Sequence, residues 1–380
     1  MKLTKLAIAI AMLTMILISA CNQTPTGEVV TKEKKEPIKI GYLGPLTGDA
    51  ASYGETEVNV IKIALKEINS AGGIAGRPLK VLYEDGQCRG KEATTAAKKL
   101  IEIDNVKIIL GGLCSAETLA MAPITEANKI LVFSALASNP DISDAGEYIF
   151  RNVPTDHDWS QFAAETIYKE GYKEVSMLTE NTPYAIGVRD IFKERFIELG
   201  GKIIADEVFE QNSKDYRSQI TKIKSNQPDA IFLNPQAGIT GGLAAKQIRE
   251  FGITAPIYSS YVWGGPDSVE NAGEAAEGIL FFDAPGLSTQ KGLDIIKKYK
   301  QIYGDYASEY LVGSRYDSVH IIADALIECN ENTECIKDYL YDLKDYDGAI
   351  GTYSFKPNGD MISIQFELKE IRNKKPVVIG

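Results

Sequence analysis

From residue 38 onward, two patterns of apolar positions alternate along the chain. Residues 38–43 form a short, mostly apolar run bounded by turn residues, which reads as a buried strand. Over 57–69, Val58, Ile61, Ala64, Leu65 and Ile68 recur at helical spacing, with Glu57, Lys62, Lys66 and Glu67 expected on the outer side. Ala71-Gly72-Gly73-Ile74-Ala75-Gly76 then stops the helix, as glycine does after a C-terminus. The pair repeats as strand 79–83, helix 92–103, strand 107–110, helix 116–128 and strand 130–133. After Pro154 the rhythm restarts with helix 159–170, strand 174–178, helix 186–199, strand 202–208, helix 216–225, strand 229–233, helix 242–251 and strand 256–258. Strands separated by helices imply right-handed crossovers and parallel sheets, so the expected class is α/β, with two doubly wound lobes in succession. Near 281–285 the pattern breaks, and long helices return at 292–303 and 312–329. The tail, 353–371, reads as a hairpin turning at Pro357-Asn358-Gly359 and completing one of the lobes.

The start of the chain has a different pattern. Lys2 and Lys5 precede an apolar run over 6–18, followed by Ser19, Ala20 and Cys21. Such a run reaches roughly 20 Å as a helix, too short for a bilayer core of about 30 Å. A basic start, an apolar core and small residues form a secretory signal. Ile18-Ser19-Ala20-Cys21 resembles a bacterial lipobox, which would make Cys21 the lipidated first residue of the mature chain; an ordinary cut at another small residue is the alternative. Residues 22–37 are polar, with no apolar face, and read as a flexible tether. The folded part is expected to begin near Pro37 and to work outside the cytoplasm, on a lipid anchor.

Charge and cysteine content narrow the field. Without Lys2 and Lys5 the chain has 39 basic and 52 acidic residues, a balance of −13, which repels nucleic acid and anionic lipid. Four cysteines remain beside Cys21, and in an oxidising compartment an even number favours two disulfides. The economical pairing is Cys88 with Cys114 and Cys329 with Cys335, stabilising by about 3 and about 2 kcal/mol in a chain-entropy picture. Metal binding by these thiols is the competing idea, but no pair has knuckle spacing and the chain has only two histidines.

Catalytic patterns are missing. His157 follows the junction between lobes and His320 falls in a helix among apolar neighbours, and neither accompanies a Gly-x-Ser-x-Gly elbow. The glycines after the first strand match neither a dinucleotide fingerprint nor a phosphate loop. The positive signal lies at strand carboxyl ends, where open α/β sheets take ligands. Gly111-Gly112-Leu113-Cys114-Ser115 opens a helix, so Ser115 would offer a hydroxyl and backbone N–H groups to a carboxylate. A serine there also serves as an ordinary N-cap. Ser134-Ala135-Leu136-Ala137-Ser138 places a second hydroxyl loop beside the first, and residues 48–54 put Tyr53 on a glycine-flanked loop at the same edge.

Four segments carry a resemblance: Ile38-Lys39-Ile40-Gly41-Tyr42-Leu43-Gly44-Pro45-Leu46-Thr47-Gly48, residues 71–79, Gly111–Ser115, and Ala276-Glu277-Gly278. Collinear over about 38–370, they resemble the branched-chain amino-acid-binding proteins, the substrate-binding components of ABC transporters with the type I periplasmic binding protein fold. The spacing of Cys88 and Cys114 also matches a disulfide of that family.

The resemblance implies two lobes joined by three crossovers, near Pro154, Ala284 and Asp345. Lobe 1 would be 38–154 plus 285–345, and lobe 2 would be 155–284 plus 346–380. A solute would bind between them and a hinge would close. By position, Ser115 and Ser138 should hold a carboxylate, the Leu136 carbonyl should face an ammonium, Tyr53 and Leu113 should line the wall, and Tyr184 should act as an aromatic lid. Where the family commonly places an acid for the ammonium, this chain has Tyr261; either Asp267 or Asp317 replaces it, or the ligand lacks an ammonium. The loop 236–240 is similarly hard to align. The expected role is a monomeric, non-enzymatic solute receptor docking on an ABC permease, with no cofactor or metal. A ligand-sensing receptor component for a small organic acid or amide is the rival.

Overall fold

The computed structural model describes residues 35–362 and 365–379. The signal segment, Cys21 and most of the tether lie outside the described residues. The first sheet is built from β1 (Ile38–Gly44), α1 (Ala51–Ser70), β2 (Leu79–Asp85), α2 (Gly90–Lys98), β3 (Ile108–Gly111), α3 (Ser115–Ala127), β4 (Leu131–Ser134) and β5 (Ile149–Arg151). Its strands run in the order β2-β1-β3-β4-β5, all parallel. The reversal of order beside β1 places the carboxyl ends of β1, β3 and β4 next to one another, the usual place for a ligand in an open α/β sheet.

The second sheet takes α4 (Asp156–Lys169), β6 (Glu174–Glu180), α5 (Pro183–Glu198), β7 (Lys202–Phe209), α6 (Arg217–Asn226), β8 (Ala230–Asn234), α7 (Gly238–Glu250), β9 (Ile257–Ser259), α8 (Pro266–Ala272) and β10 (Leu280–Asp283). With β13 (Glu367–Arg372) and β14 (Lys375–Val378) added from the chain's end, its order is β14-β13-β10-β9-β8-β6-β7. The chain then returns to the first sheet as α9 (Gln290–Tyr303), α10 (Glu309–Cys329) and α11 (Thr333–Asp342). Val319, Ile322 and Leu326 of α10 share a core with Ile38, Tyr42 and Leu110. Both disulfides pair as the economical scheme has them, Cys88–Cys114 and Cys329–Cys335.

Five expectations change. The segment after Asp345 does not cross to the second lobe there: β11 (Tyr346–Gly348) and β12 (Gly351–Tyr353) are followed by Phe355 and Met361, all packed into the first core. Buried Arg151 holds them, its Nε lying 2.6 Å from Asp360 Oδ1. A buried guanidinium stripped of its carboxylate costs roughly 3–5 kcal/mol, so the chain stays until that pair is made. The turn at 357–359 closes only an isolated bridge between Phe355 and Met361. The true tail hairpin is β13 (Glu367–Arg372) with β14 (Lys375–Val378), antiparallel, and β13 adds antiparallel to β10.

Helix α1 starts at Ala51, so Tyr53 stands in its first turn rather than on a loop. Gly54 is not a loop signal: a Cβ there would run into the carbonyl of Pro45, so the glycine lets the helix pack on the preceding turn. Glu57, expected outside, is fully buried. It accepts from Arg315 Nε at 2.8 Å and from the Tyr42 hydroxyl at 2.9 Å. His320 faces Glu67 at 3.4 Å and the ring of Tyr316 rather than a purely apolar surface.

Candidate functional site

The first lobe supplies two adjoining loops, and its own hydrogen bonds tie them together. Ser134 Oγ donates to the Gly112 carbonyl at 2.7 Å and accepts from Ala137 N at 3.0 Å. Ser115 Oγ accepts from Asn139 N at 3.2 Å, so its own proton remains for a ligand. The N-cap of α3 is Cys114, and Ser115 is the first helical residue, which points its backbone N–H out of the helix end. The disulfide anchors this turn to the loop after β2. Beneath it, buried Glu117 accepts from Cys88 N and Cys114 N, both at 3.0 Å. Burial pushes the Glu117 carboxyl up to about 8 against the pull of those two backbone donors.

The second lobe faces these loops with tyrosines. Tyr184 lies in the first turn of α5, and Tyr261 begins a 3-10 turn, Tyr261–Gly264, just after β9. Their ring centroids are 5.8 Å apart. Burial holds the hydroxyls of Tyr53, Tyr184 and Tyr261 well above the ordinary phenol value, so all three stay neutral donors. All seven residues named from the sequence border two adjoining hollows. Tyr53, Leu113, Ser115, Leu136, Tyr184 and Tyr261, with Gln236, line one of about 10 Å³. Leu136, Ser138 and Tyr261 also border the other, about 30 Å³, which abuts the crossovers. One or two waters fill such spaces as they stand.

Several buried polar groups here lack a well-formed hydrogen bond: Ser138 Oγ, Tyr184 OH, Ser260 Oγ and Asp156 Oδ2. Leaving such groups unpaired costs about 1–3 kcal/mol each, so they mark a place built to meet polar atoms. Asp156 opens α4, and its Oδ1 accepts from Trp159 Nε1 at 2.7 Å. Burial raises its carboxyl to about 7, with the Trp159 bond, Ser138 and Arg151 pulling the other way. Its charge is felt by both Tyr184 and Tyr261.

The two acids considered from the sequence are engaged elsewhere. Asp317 accepts from Ala349 N and Ile350 N within the first lobe. Asp267 accepts from Ser52 Oγ at 2.5 Å, a tie between the lobes. Lys214 with Asp49 at 2.6 Å, Gln211 with the Cys88 carbonyl at 3.3 Å and Asn139 with the Pro183 carbonyl at 2.7 Å are further ties. Asp156 and Asn139 were missed from the sequence; a helix-opening acid and a loop asparagine are ordinary there, and only the fold sets Asp156 beside the tyrosines and Asn139 against the Pro183 carbonyl. His157 is exposed beside Asp158 and Gln161. Among the described residues no group of three or more His, Cys, Asp or Glu is placed to hold a metal ion.

Residues 37–368 match the family model described as periplasmic binding protein. The chain belongs to that family. Its members are substrate-binding proteins, not enzymes. The chain is similar to the leucine-, isoleucine-, valine-, threonine- and alanine-binding protein of Pseudomonas aeruginosa, 26% identical over 88% of this chain and 90% of that one. It is also similar to the Leu/Ile/Val-binding protein of Escherichia coli K12, 24% identical over 87% and 90%. Among solved structures, the leucine-binding protein LivK of Thermotoga maritima superposes with a TM-score of 0.84 at 26% identity, covering 90% of this chain and 98% of that one. LivJ of Streptococcus pneumoniae, in complex with isoleucine, gives 0.82 at 27%, covering 90% and 99%. Both likenesses span the two sheets, and the fold is the type I periplasmic binding protein fold.

Proposed function

We propose that this chain is an extracytoplasmic, lipid-anchored receptor that presents a small carboxylate-bearing solute, an amino acid in the first instance, to an ABC permease. Lobe closure on the solute is part of this reading. The observation that carries it is the meeting of the Ser115 and Ser138 loops with Tyr184 and Tyr261 across two hollows shared by both lobes. Ser115, Ser138 and the exposed N–H of the α3 start suit a carboxylate. The spare oxygen of Asp156 suits an ammonium, filling the role that the displaced family acid leaves open. Tyr53, Leu113 and Leu136 supply apolar wall, and Tyr184 with Tyr261 closes over it. The relatives named for leucine, isoleucine and valine support a branched-chain amino acid as the first solute to try. Such a solute shifts the lobe equilibrium only through its preference for the closed form, and about 5.5 kcal/mol moves it from 1:99 to 99:1.

Isothermal titration with an amino-acid panel tests this. Saturable binding is expected for at least one member, accompanied by a change in emission of Trp159, which borders the larger hollow. Ser115→Ala combined with Ser138→Ala should weaken it at least tenfold. A full panel without heat, emission change or thermal shift would overturn the ligand class.

A further inference from the structure

We infer that Glu180 is a positioning residue for lobe closure, fixing two loops of the second lobe so that Gln211 and Lys214 meet the first lobe, a step that rests on the closure reading above. Glu180 ends β6 and is 2% exposed. Its Oε2 accepts from Gln236 N at 2.8 Å, and the Asn212 backbone N–H turns to the same carboxylate. These donors belong to the loops after β8 and β7, the strands on either side of β6. Asn212 has φ of 64° in a turn closed by Ser213 N on the Glu210 carbonyl at 3.0 Å. A left-handed residue persists where its surroundings determine it, and the buried carboxylate is such a surrounding.

The first lobe repeats the arrangement. Glu117 gathers the amides of Cys88 and Cys114, from the loops after β2 and β3, and those strands flank β1. Each lobe thus has one buried carboxylate spanning the loops of two strands that flank a third. The two systems meet across the cleft. Gln211, next to Asn212, donates from Nε2 to the Cys88 carbonyl at 3.3 Å. Lys214 Nζ lies 2.6 Å from Asp49 Oδ2, and the Lys214 carbonyl accepts from Gln247 Nε2 at 2.9 Å. Burial raises the Glu180 carboxyl to about 7 against its two backbone donors, and Asp49 and Lys214 act on it in opposite directions.

Neither acid borders the two hollows, although Gln236 does. The chemistry explains the choice of glutamate. Two amide donors need two acceptor oxygens, whereas glutamine would turn its own N–H groups toward one of them. The ties to Cys88 and Asp49 vanish whenever the lobes part. Loops kept in register therefore favour the shut form and slow release of a bound solute.

Stopped-flow binding of L-leucine and amide hydrogen exchange, both on the full folded chain, test this together. Glu180→Met keeps the volume and removes the acceptors. It should speed exchange at Asn212 and Gln236 at least tenfold and raise the leucine dissociation rate at least threefold, with association unchanged within twofold. Glu180→Gln, which keeps one acceptor, should fall between. Gln211→Ala with Lys214→Met should also raise the dissociation rate about threefold or more. Adding Glu180→Met to that pair should raise it less than twofold further. A larger further rise would assign Glu180 to Gln236 and the ligand wall, and would overturn the inference. Unchanged exchange in Glu180→Met, or slower association in place of faster release, would overturn it as well. Should Glu180→Met fail to fold by circular dichroism, Glu180→Gln decides by the same comparisons. Failure of leucine to bind at all would count against the solute reading, and the exchange rates alone would then decide for or against Glu180.

Discussion

In the proposed reading, Asp156 is the residue on which the chemistry of the ligand head group turns. Its second oxygen is buried without a well-formed hydrogen bond beside two neutral tyrosines, and its carboxyl is raised to about 7 by burial against the pull of Trp159, Ser138 and Arg151. An ammonium brought there would be met by a carboxylate above that pH and by a neutral acid below it. Affinity for an amino acid is therefore expected to fall on acidification from pH 8 to pH 6, while that for the matching α-keto acid stays flat or rises. Asp156→Asn should cost the amino acid tenfold or more and the keto acid less than threefold; equal losses would assign Asp156 to holding Trp159 alone. At this scale the sequence was legible where the signal was local. Ser115 and Ser138 sit on hydroxyl-bearing loops directly after strands, and the spacing alone brings them to one edge. Glu57 was not legible, because an acid on a helix reads as solvent-facing until its partner, Arg315, is known to lie against it.

Among the elements, the third crossover has the clearest physical cause. The strand and helix rhythm marked nearly every parallel strand, because an apolar run bounded by turns is a period signal that needs no partner. It could not mark β5 (three residues) or the path of 346–361, which is set by a buried ion pair and a few rings packed on the first core. Gly359 is the pivot of that path. It has φ of 80°, its carbonyl accepts from Arg151 N at 3.0 Å, and an added Cβ would meet the Ile149 carbonyl. Gly359→Ala is expected to destabilise the protein by about 1–3 kcal/mol, read as a lower urea midpoint with an unchanged slope. An unchanged midpoint would mean that the turn relaxes freely and that Asp360 does not depend on it.

For the whole molecule, the buried carboxylates give stability an uncommon pH profile. Asp156, Glu180 and Asp317 are raised to about 7 and Glu117 to about 8, each chiefly by burial. Such groups hold their protons in the folded state after the unfolded chain has lost them. Their contribution is therefore full below the ordinary carboxylate range near 4 and falls as pH rises toward 7 or 8, by at most about 1.4 kcal/mol per pH unit per group. Glu67 is shifted the other way, chiefly by its bonds to Lys298 and Tyr316 against the cost of burial, and loses its contribution only below about pH 4.5. Ligand-free protein is expected to resist urea better at pH 5 than at pH 7.5, and Asp317→Asn should flatten that slope. Greater resistance at pH 7.5 would show that other groups dominate the titration.

The bond between Cys88 and Cys114 does more than brace the first lobe. It sits directly under the turn that presents Ser115, with Glu117 gathering the two neighbouring amides. Material produced in a reducing cytosol would thus carry a slack Ser115 turn, the proposed carboxylate site, on an otherwise intact scaffold. Its calorimetry would understate the potency of the oxidised form, and a reductant added to the titration cell would reproduce the deficit.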